Sequence, residues 1–207
     1  MLLKIHGLNP SERQLLLVAD CLRSGGVIIY PTDTVYGLGC DITQSKAIER
    51  IAQLKGIKKE KAQFSFICNT LSQLSEFTLP IDNHIFRLMR KTLPGPFTFI
   101  VKANSKVPNL LQSKKKTVGI RIPDHAVPLA LVQLLGNPIL TTSVHDDDEI
   151  IEYTTDPELI YEKYKKKVDI VIDSGFGGNL ASTVLDCTGD EIQILRQGKG
   201  EININDL

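Results

Sequence analysis

Small hydroxyl side chains gather in four short stretches of this sequence, and one of these stretches also carries an arginine. The stretches are YPTDTVYGLG (30–39), TVGIRIP (117–123), PILTTS (138–143) and STVLDC (182–187). Hydroxyls beside glycines, together with freed backbone N–H groups, donate hydrogen bonds to a phosphate or carboxylate without adding bulk. Arg121 adds a planar guanidinium whose fork of donors fits the same anions. The combination predicts a site that binds and orients anionic groups.

Each of these residues also has a purely structural interpretation. Arg121 stands between two isoleucines and could pair with a surface acid. Tyr36 could be a core aromatic whose hydroxyl finds a backbone partner. Ser182 and Thr183 could be ordinary strand hydroxyls. The sequence alone leaves these alternatives open beside the anion site.

Covalent and metal-dependent catalysis find little support in the sequence. The glycines match neither G-x-G-x-x-G nor G-x-x-x-x-G-K-S/T, and no G-x-S-x-G elbow occurs. The four cysteines contain no C-x-x-C pair, and the histidines are dispersed. The acidic stretch HDDDE (145–149) could attract Mg²⁺, but its composition favours a solvated loop. We expect no covalent nucleophile and no structural metal, and catalysis by the orientation of substrates.

Composition indicates a soluble protein with one core. The chain has 207 residues, of which 42% are hydrophobic and 23% are charged, an ordinary balance for a globular domain. No apolar run reaches the roughly 18 residues of a membrane span, and the first residues lack the apolar stretch of a signal peptide. We expect a cytoplasmic protein without membrane association. The predicted single domain spans 1–207, with a core at about 11–200 and a short tail at 201–207.

Net charge is zero, but the basic residues are clustered. Lysines and arginines concentrate at 55–61, 87–91, 114–116 and 163–167, and acidic residues concentrate at 146–152. Zero net charge argues against a protein built wholly around nucleic acid. Charge runs are most often solvated faces, so a basic binding surface is the less favoured interpretation of any single cluster.

Alternating helix and strand patterns predict the α/β class. Five helices are expected, and the features that mark them are a Ser11–Gln14 capping box, an apolar stripe ending at Lys55, a stripe of Ile85, Phe86, Met89 and Leu93, the run 126–136, and the segment after Asp156 and Pro157. About eight β-branched runs lie between them, at 27–31, 63–68, 96–102, 117–123, 138–143, 168–173, 182–187 and 192–196. This alternation predicts one twisted mixed sheet.

The order of six motifs resembles the YrdC family, whose best known members are threonylcarbamoyl-AMP synthases. The motifs are PTDTVYGLGCD, PGPFTFIV, TVGIRIPDH, PILTTS, ASTVLD and ILRQGKG, and the resemblance runs from about Ser11 to Gly200. It implies a YrdC-like α/β fold with a mixed parallel and antiparallel sheet, flanking helices and a concave basic cavity. It also implies that threonine, bicarbonate and ATP, the last with Mg²⁺, give threonylcarbamoyl-AMP and pyrophosphate for the modification of tRNA. Such an enzyme mainly holds three anionic groups together.

The resemblance also assigns roles to nine residues by position. Thr34 lies at the threonine ligand and Arg121 clasps its carboxylate, while Thr141 and Ser182 complete that pocket. The residues implied to face the nucleotide are Lys55, Lys61, Thr117, Ser143 and Arg196.

Two motifs depart from the family's usual pattern. The family's K-x-R-P-x-x-K-P-L, followed shortly by histidine, is replaced by KGIKKEKAQFSF (55–66), with Ile57 for the arginine and Phe66 for the histidine. The family's S-A-N becomes Ser143-Val144-His145. These changes resemble the YciO branch. A lost charged contact to phosphate costs on the order of 1.5–3 kcal/mol, or roughly one to two powers of ten in rate, so we expect nucleotide binding with weak synthase activity.

Two other functions are consistent with the same sequence. The first is a module that binds double-stranded RNA or tRNA on the concave face, and its support is the basic clusters. The second is an adenylate-forming site for another amino acid. Phe66 supports the second function, because the resemblance places it where a histidine of the threonine pocket is expected.

Overall fold

Ten strands and six helices make up the part of the chain that the computed structural model describes, which is residues 1–56, 64–108, 116–144 and 154–202. The strands are β1 (Leu2–Lys4), β2 (Ile28–Tyr30), β3 (Gly37–Asp41), β4 (Ser65–Ile67), β5 (Phe97–Lys102), β6 (Thr117–Arg121), β7 (Ile139–Ser143), β8 (Ile170–Asp173), β9 (Thr183–Asp186) and β10 (Gln193–Arg196). The helices are α1 (Glu12–Arg23), α2 (Ser45–Leu54), α3 (Leu71–Ser75), α4 (Asn83–Thr92), α5 (Ala126–Leu135) and α6 (Pro157–Tyr164).

The strands form one mixed sheet in the order β1-β8-β2-β3-β7-β4-β6-β5-β9-β10. Strands β1, β8 and β2 are parallel, β3 and β7 run antiparallel to their neighbours at the centre, and β4–β6 and β5–β9 are parallel pairs. The predicted α/β class and mixed sheet are therefore confirmed. None of the helices in the described ranges has the length and apolar character needed to traverse a lipid bilayer.

Some helix boundaries follow local sequence signals and others do not. At α6 the Asp156 carboxylate accepts a hydrogen bond from the Glu158 N–H at 2.8 Å, and Pro157 occupies the first turn, as the sequence predicts. At α1 the predicted capping box is wrong. Ser11 is the N-cap but its side chain accepts no cap bond, and the Gln14 amide instead donates to the Lys4 carbonyl at 2.6 Å.

Strands β1 and β3 and the short helix α3 were not predicted. β3 has the sequence GLGCD, and glycine-rich segments are usually unfavourable in strands. Its glycines are required because the Tyr30 ring lies across them: a Cβ at Gly37 would come within 2.9 Å of that ring. The antiparallel register pairs Tyr30 directly with Gly37, so an aromatic side chain fills the space that the glycine leaves.

The two faces of the sheet have different cores. One face packs against α2, α3, α4 and α6 through a large apolar cluster that includes Ile29, Leu38, Phe66, Phe99 and Ile120. The other face is covered by α1 and α5 over a smaller cluster, whose strand residues include Ile28, Ile67, Ile139 and Ile172. The centre of this second face, at Ser65, Gly119 and Ser143, belongs to neither apolar cluster.

Candidate functional site

Hydroxyls and glycines line this central stretch of the second face. Ser65 on β4 lies directly opposite both Thr141 on β7 and Gly119 on β6, and Ser143 lies opposite Gly37. Directly paired residues project to the same side of a sheet, and so do residues two apart on one strand. The resulting surface, called the hydroxyl face below, consists of Gly37, Gly39, Ser65, Thr117, Gly119, Thr141 and Ser143.

The hydroxyl face is closely packed, and the Tyr30 ring covers it at Gly37 and Gly39. A Cβ at Gly119 would lie 2.6 Å from the Ser65 hydroxyl oxygen, so a larger residue there would force the Ser65 side chain to move. The Tyr30 hydroxyl donates to Thr141 Oγ1 at 2.6 Å and fixes the orientation of that hydroxyl. Burial raises the pKa of Tyr30, so this donor is a neutral phenol.

Arg121 ends β6 at the border of the hydroxyl face and is held from one side. Its Nη2 donates to Thr34 Oγ1 at 2.6 Å, to Thr32 Oγ1 at 3.4 Å and to Asp33 Oδ1. The side chains of Arg121 and Asp33 are each only 9% exposed, so their ion pair is buried. Thr34 has no exposed surface, and its hydroxyl serves to orient Arg121.

The loop at 31–36 that supplies these partners is itself fixed by hydrogen bonds. Thr32 Oγ1 accepts from the Thr34 N–H at 3.1 Å and donates to the Val35 carbonyl at 2.7 Å. The Gly178 N–H donates to the Thr34 carbonyl at 2.8 Å. The Tyr36 hydroxyl donates to the Gly175 carbonyl at 2.7 Å, and burial raises the pKa of Tyr36 to about 12. Tyr36 is thus a core aromatic with a backbone partner.

Arg196 and Ser182 form a second polar group beside the first. The Arg196 guanidinium donates to the Ser182 carbonyl from Nε at 3.1 Å and from Nη2 at 2.9 Å, and Ser182 Oγ lies 2.8 Å from Thr98 Oγ1. Burial and the positive charge of Arg121 lower the pKa of Arg196, which places the two guanidinium groups within electrostatic reach. Within the described ranges Arg196 has no carboxylate partner.

Lys199 brings a third cation to this group. Its ammonium donates to the Asp33 carbonyl at 2.6 Å. Arg121 pairs with the Asp33 carboxylate, Lys199 binds the backbone carbonyl of the same residue, and Arg196 lies within electrostatic reach of Arg121. The surplus of positive charge suits an anionic ligand. Neither Lys199 nor Asp33 was predicted, although both lie inside motifs singled out in the sequence.

The predicted site residues are placed as follows. Thr34, Arg121, Ser182 and Arg196 come together through the contacts above. Thr117, Thr141 and Ser143 belong to the hydroxyl face, where Thr117 pairs with Lys102 at the start of β6. Lys55 is the C-cap of α2, as predicted, and Lys61 lies outside the described residues.

Phe66 does not line the hydroxyl face. It is 1% exposed and packs edge-on against Phe77 in the larger apolar cluster, with ring centroids 5.8 Å apart. The expectation that Phe66 alters the amino-acid pocket is therefore wrong. Side chains alternate along a strand, so the neighbour Ser65 is the residue that reaches the polar side, and sequence reasoning missed it.

A cavity of about 710 Å³ opens at the carboxyl ends of β1 and β8, and His125 in its lining lies within electrostatic reach of Asp33. Its lining includes Lys4, Asp124, His125 and Asp173. Burial lowers the pKa of His125, whose Nδ1 accepts from the Val127 N–H at 3.2 Å, so the imidazole is neutral at pH 7. The lining carries two carboxylates, those of Asp124 and Asp173, and one ammonium, that of Lys4. This charge balance disfavours a phosphate, whereas the Arg121 side of the molecule favours one.

A metal-binding cluster of three or more His, Cys, Asp or Glu side chains does not occur within the described ranges. The acidic stretch at 145–149 lies outside them. Oxygen and nitrogen donors at the site are mainly hydroxyls, guanidiniums and an ammonium, which favour anions over Mg²⁺.

Residues 20–198 match the Sua5/YciO/YrdC family model, described as "Telomere recombination". The chain is 40% identical over 200 residues to the uncharacterized protein YciO of Escherichia coli, which covers 96% of this chain and 95% of that protein. It is 38% identical over 129 residues to a threonylcarbamoyl-AMP synthase of Nitrosococcus oceani, which covers 62% of this chain and 69% of the synthase.

Solved structures give the same relationships. The crystal structure of E. coli YciO superimposes with a TM-score of 0.90 at 38% identity and covers 97% of both chains. The structure of P. abyssi Sua5 complexed with L-threonine superimposes with a TM-score of 0.87 at 26% identity, and the match covers 96% of this chain and 57% of that longer one.

Proposed function

The chain belongs to the Sua5/YciO/YrdC family, and from this premise we propose that it binds an amino acid and ATP at the hydroxyl face. With bicarbonate it converts them slowly into the N-carbamoyl adenylate of the amino acid and pyrophosphate, and threonine is the first candidate. The proposed steps need no protein nucleophile. The amine of threonine and bicarbonate give a carbamate and water, and a carbamate oxygen then attacks the α-phosphorus of ATP. Pyrophosphate leaves, and threonylcarbamoyl-AMP remains.

The cation cluster is the observation that carries this proposal. Its members are Arg121, Arg196 and Lys199: Arg121 is paired with the Asp33 carboxylate, Lys199 donates to the Asp33 backbone carbonyl, and Arg196 lies within electrostatic reach of Arg121. A carboxylate, a carbamate and a triphosphate must be held together for the reaction, and their mutual repulsion opposes it. Preorganised guanidinium groups in a partly dry site offset that repulsion, and they do so without reorganising during the reaction.

Individual residues have distinct tasks in this proposal. The guanidinium of Arg121 holds the amino-acid carboxylate, and the contact with Thr34 keeps it oriented. Arg196 and Lys199 face the developing charge of the phosphates, and the hydroxyls of Thr117 and Ser143 donate hydrogen bonds to the nucleotide. Thr141 and Ser182 complete the amino-acid pocket. ATP brings its own Mg²⁺. Ile57 replaces a family arginine, so we expect a rate below that of a synthase by roughly one to two powers of ten.

Pyrophosphate release across a panel of amino acids tests the proposal. Purified protein receives ATP, Mg²⁺, bicarbonate and one amino acid at a time, beside a threonylcarbamoyl-AMP synthase as the positive control. We expect slow pyrophosphate release that requires both threonine and bicarbonate. The variant Arg121→Lys should release no pyrophosphate, because an ammonium cannot replace the guanidinium fork. The matched control is Arg50→Lys, since Arg50 pairs with Asp169 at 2.7 Å on the surface. No release with any amino acid would overturn the proposal.

RNA binding is the second candidate, and the basic stretch at the end of α6 is its support. Lys163 and Lys167 place their ammonium groups 5.8 and 5.6 Å from the centre of the Tyr164 ring. The clusters at 57–63 and 114–115 lie outside the described residues. Phosphate-driven binding weakens steeply with salt. Affinity for tRNA that does not change between low and high salt, or no binding at all, would remove this candidate.

A further inference from the structure

The cavity of about 710 Å³ at the ends of β1 and β8 takes no part in the proposed reaction. These two strands are parallel neighbours, and ligands of open α/β sheets bind in crevices at the carboxyl ends of strands. The walls come from the loops that follow β1 and β8 and from the first turn of α5. Small-molecule sites usually have volumes of roughly 300–1,000 Å³. The position and size of this cavity therefore suit a small organic ligand.

Two histidines supply the cavity with fixed hydrogen-bond donors. His6 Nδ1 accepts from the backbone N–H groups of Leu8 at 3.3 Å and Asn9 at 3.2 Å. His125 Nδ1 accepts from the Val127 N–H at 3.2 Å. A neutral imidazole that accepts at Nδ1 carries its proton on Nε2. Neither Nε2 has a hydrogen-bond partner among the described residues, so a ligand can bring acceptors to both.

Asp173, the last residue of β8, supplies the cavity with a fixed acceptor. Its Oδ1 accepts from the Gly175 N–H at 3.0 Å, which holds the carboxylate at the end of the strand. This is the only hydrogen bond of the carboxylate within the described ranges. A carboxylate beside the end of a parallel strand is the group with which α/β folds bind ribose hydroxyls. Because both of its oxygens accept, the carboxylate suits a vicinal diol.

Charge and surface character narrow the class of ligand further. The carboxylates of Asp124 and Asp173 outnumber the Lys4 ammonium, which disfavours a phosphate. A simple cation would satisfy the carboxylates but would leave the imidazole N–H donors facing a positive charge. Ile5 and Leu8 add apolar surface to the lining, and Leu8 is 89% exposed. Together these features describe an uncharged ligand with hydroxyl donors, acceptor atoms and an apolar face.

We propose that this cavity binds an unphosphorylated nucleoside, with the ribose diol on Asp173 and acceptor atoms of the base on Nε2 of His6 and His125. The ribose hydroxyls donate to the carboxylate, and oxygen or ring nitrogen atoms of the base accept from the imidazoles. Ile5 and Leu8 cover part of the base. This site goes beyond the proposed function, since no step of that reaction uses it.

NMR titration with adenosine and with uridine tests the site, and the imidazole C–H signals are the reporters. His6 and His125 line the cavity, whereas His84 on α4 lies outside it and serves as an internal control. We expect at least one nucleoside to shift the His6 and His125 signals saturably and to leave His84 unchanged. Its 2′,3′-dideoxy form lacks the diol and should bind about tenfold more weakly. No shift with either nucleoside, or equal affinity of the dideoxy form, would overturn the inference.

Three variants locate the bound nucleoside. Asp173→Asn keeps an acceptor for the Gly175 N–H but loses the second carboxylate oxygen, so affinity should fall by about tenfold. Asp190→Asn makes the same change between β9 and β10, at the opposite end of the sheet, and should bind like the wild type. Arg121→Lys should also bind like the wild type, because Arg121 is not part of the lining.

A response that survives Asp173→Asn but disappears in Arg121→Lys would place the nucleoside at the hydroxyl face and overturn the inference. If Asp173→Asn fails to fold, the comparison of the nucleoside with its dideoxy form in the wild type decides.

Discussion

Arg121 and Asp33 stabilise each other below the surface, and neither can be removed alone without stranding a charge. Sequence analysis identified Arg121 by its residue type but could not predict its burial. Alternation along β6 indicates which face of the sheet the side chain lies on, but it does not indicate which other elements cover that face. Asp33 was overlooked for a physical reason. A negatively charged side chain is not expected in a site that binds anions, because like charges repel. The ion pair with Arg121 explains why Asp33 is there.

A double-mutant cycle tests this coupling. We expect Arg121→Met to lower the free energy of unfolding by about 3–5 kcal/mol, because it leaves Asp33 buried and uncompensated. Asp33→Asn alone should also destabilise the fold, yet the double variant should be more stable than Arg121→Met alone. Chemical denaturation provides the measurement. Additive losses would mean that the two side chains do not interact.

At the scale of single elements, strand register decides which residues form the site. Motif reasoning found most strands but could not tell which alternate set faced the core, so Phe66 was expected in the pocket and Ser65 was ignored. Glycine content concealed β3, although the Tyr30 ring that lies over Gly37 is what makes this strand stable. These outcomes depend on cross-strand neighbours, which a single sequence does not reveal.

Neighbouring substitutions on β4 test the register. Phe66→Ala should lower the free energy of unfolding by about 3–5 kcal/mol, since it removes a ring from the apolar cluster. Ser65→Ala should change stability by less than about 1 kcal/mol but weaken ATP binding, because it removes a hydroxyl from the hydroxyl face. Thermal melts and nucleotide titrations of both variants provide the readout. A large loss of stability in Ser65→Ala and a small one in Phe66→Ala would mean that Ser65 faces the apolar cluster and Phe66 faces the hydroxyl face.

His125 makes the N-terminus of α5 sensitive to pH. Its folded pKa lies below the ordinary 6.5, chiefly because burial penalises the charged form, while Asp33 and Asp124 act in the opposite direction. The unfolded chain therefore takes up a proton first as pH falls. The stabilising contribution is complete above about pH 6.5 and is lost at lower pH, with a slope of at most about 1.4 kcal/mol per pH unit.

Urea denaturation at several pH values between 7.5 and 5 measures this dependence. Protonation also removes the Nδ1 acceptor that caps the Val127 N–H. His125→Asn keeps a capping acceptor but cannot titrate, so the variant should lose most of this slope. An identical slope in the wild type and the variant would assign the pH dependence to other groups.

For the whole molecule, partial coverage of one sheet face creates the site. Helices α1 and α5 cover one part of the second face, and the strands beyond them carry glycines and hydroxyls. Net charge is zero, yet three cations converge beside this surface. The α/β class and the motif order were predictable from sequence, whereas the convergence of distant residues such as Asp33, Arg121 and Lys199 depends on the complete fold.

A crystal structure with L-threonine and a non-hydrolysable ATP analogue tests the central claim most directly. We predict that the threonine carboxylate lies within hydrogen-bonding distance of Arg121, about 2.7–3.2 Å, with the phosphates directed toward Arg196 and Lys199. Threonine bound in the cavity at the carboxyl ends of β1 and β8, without contact to Arg121, would contradict the account.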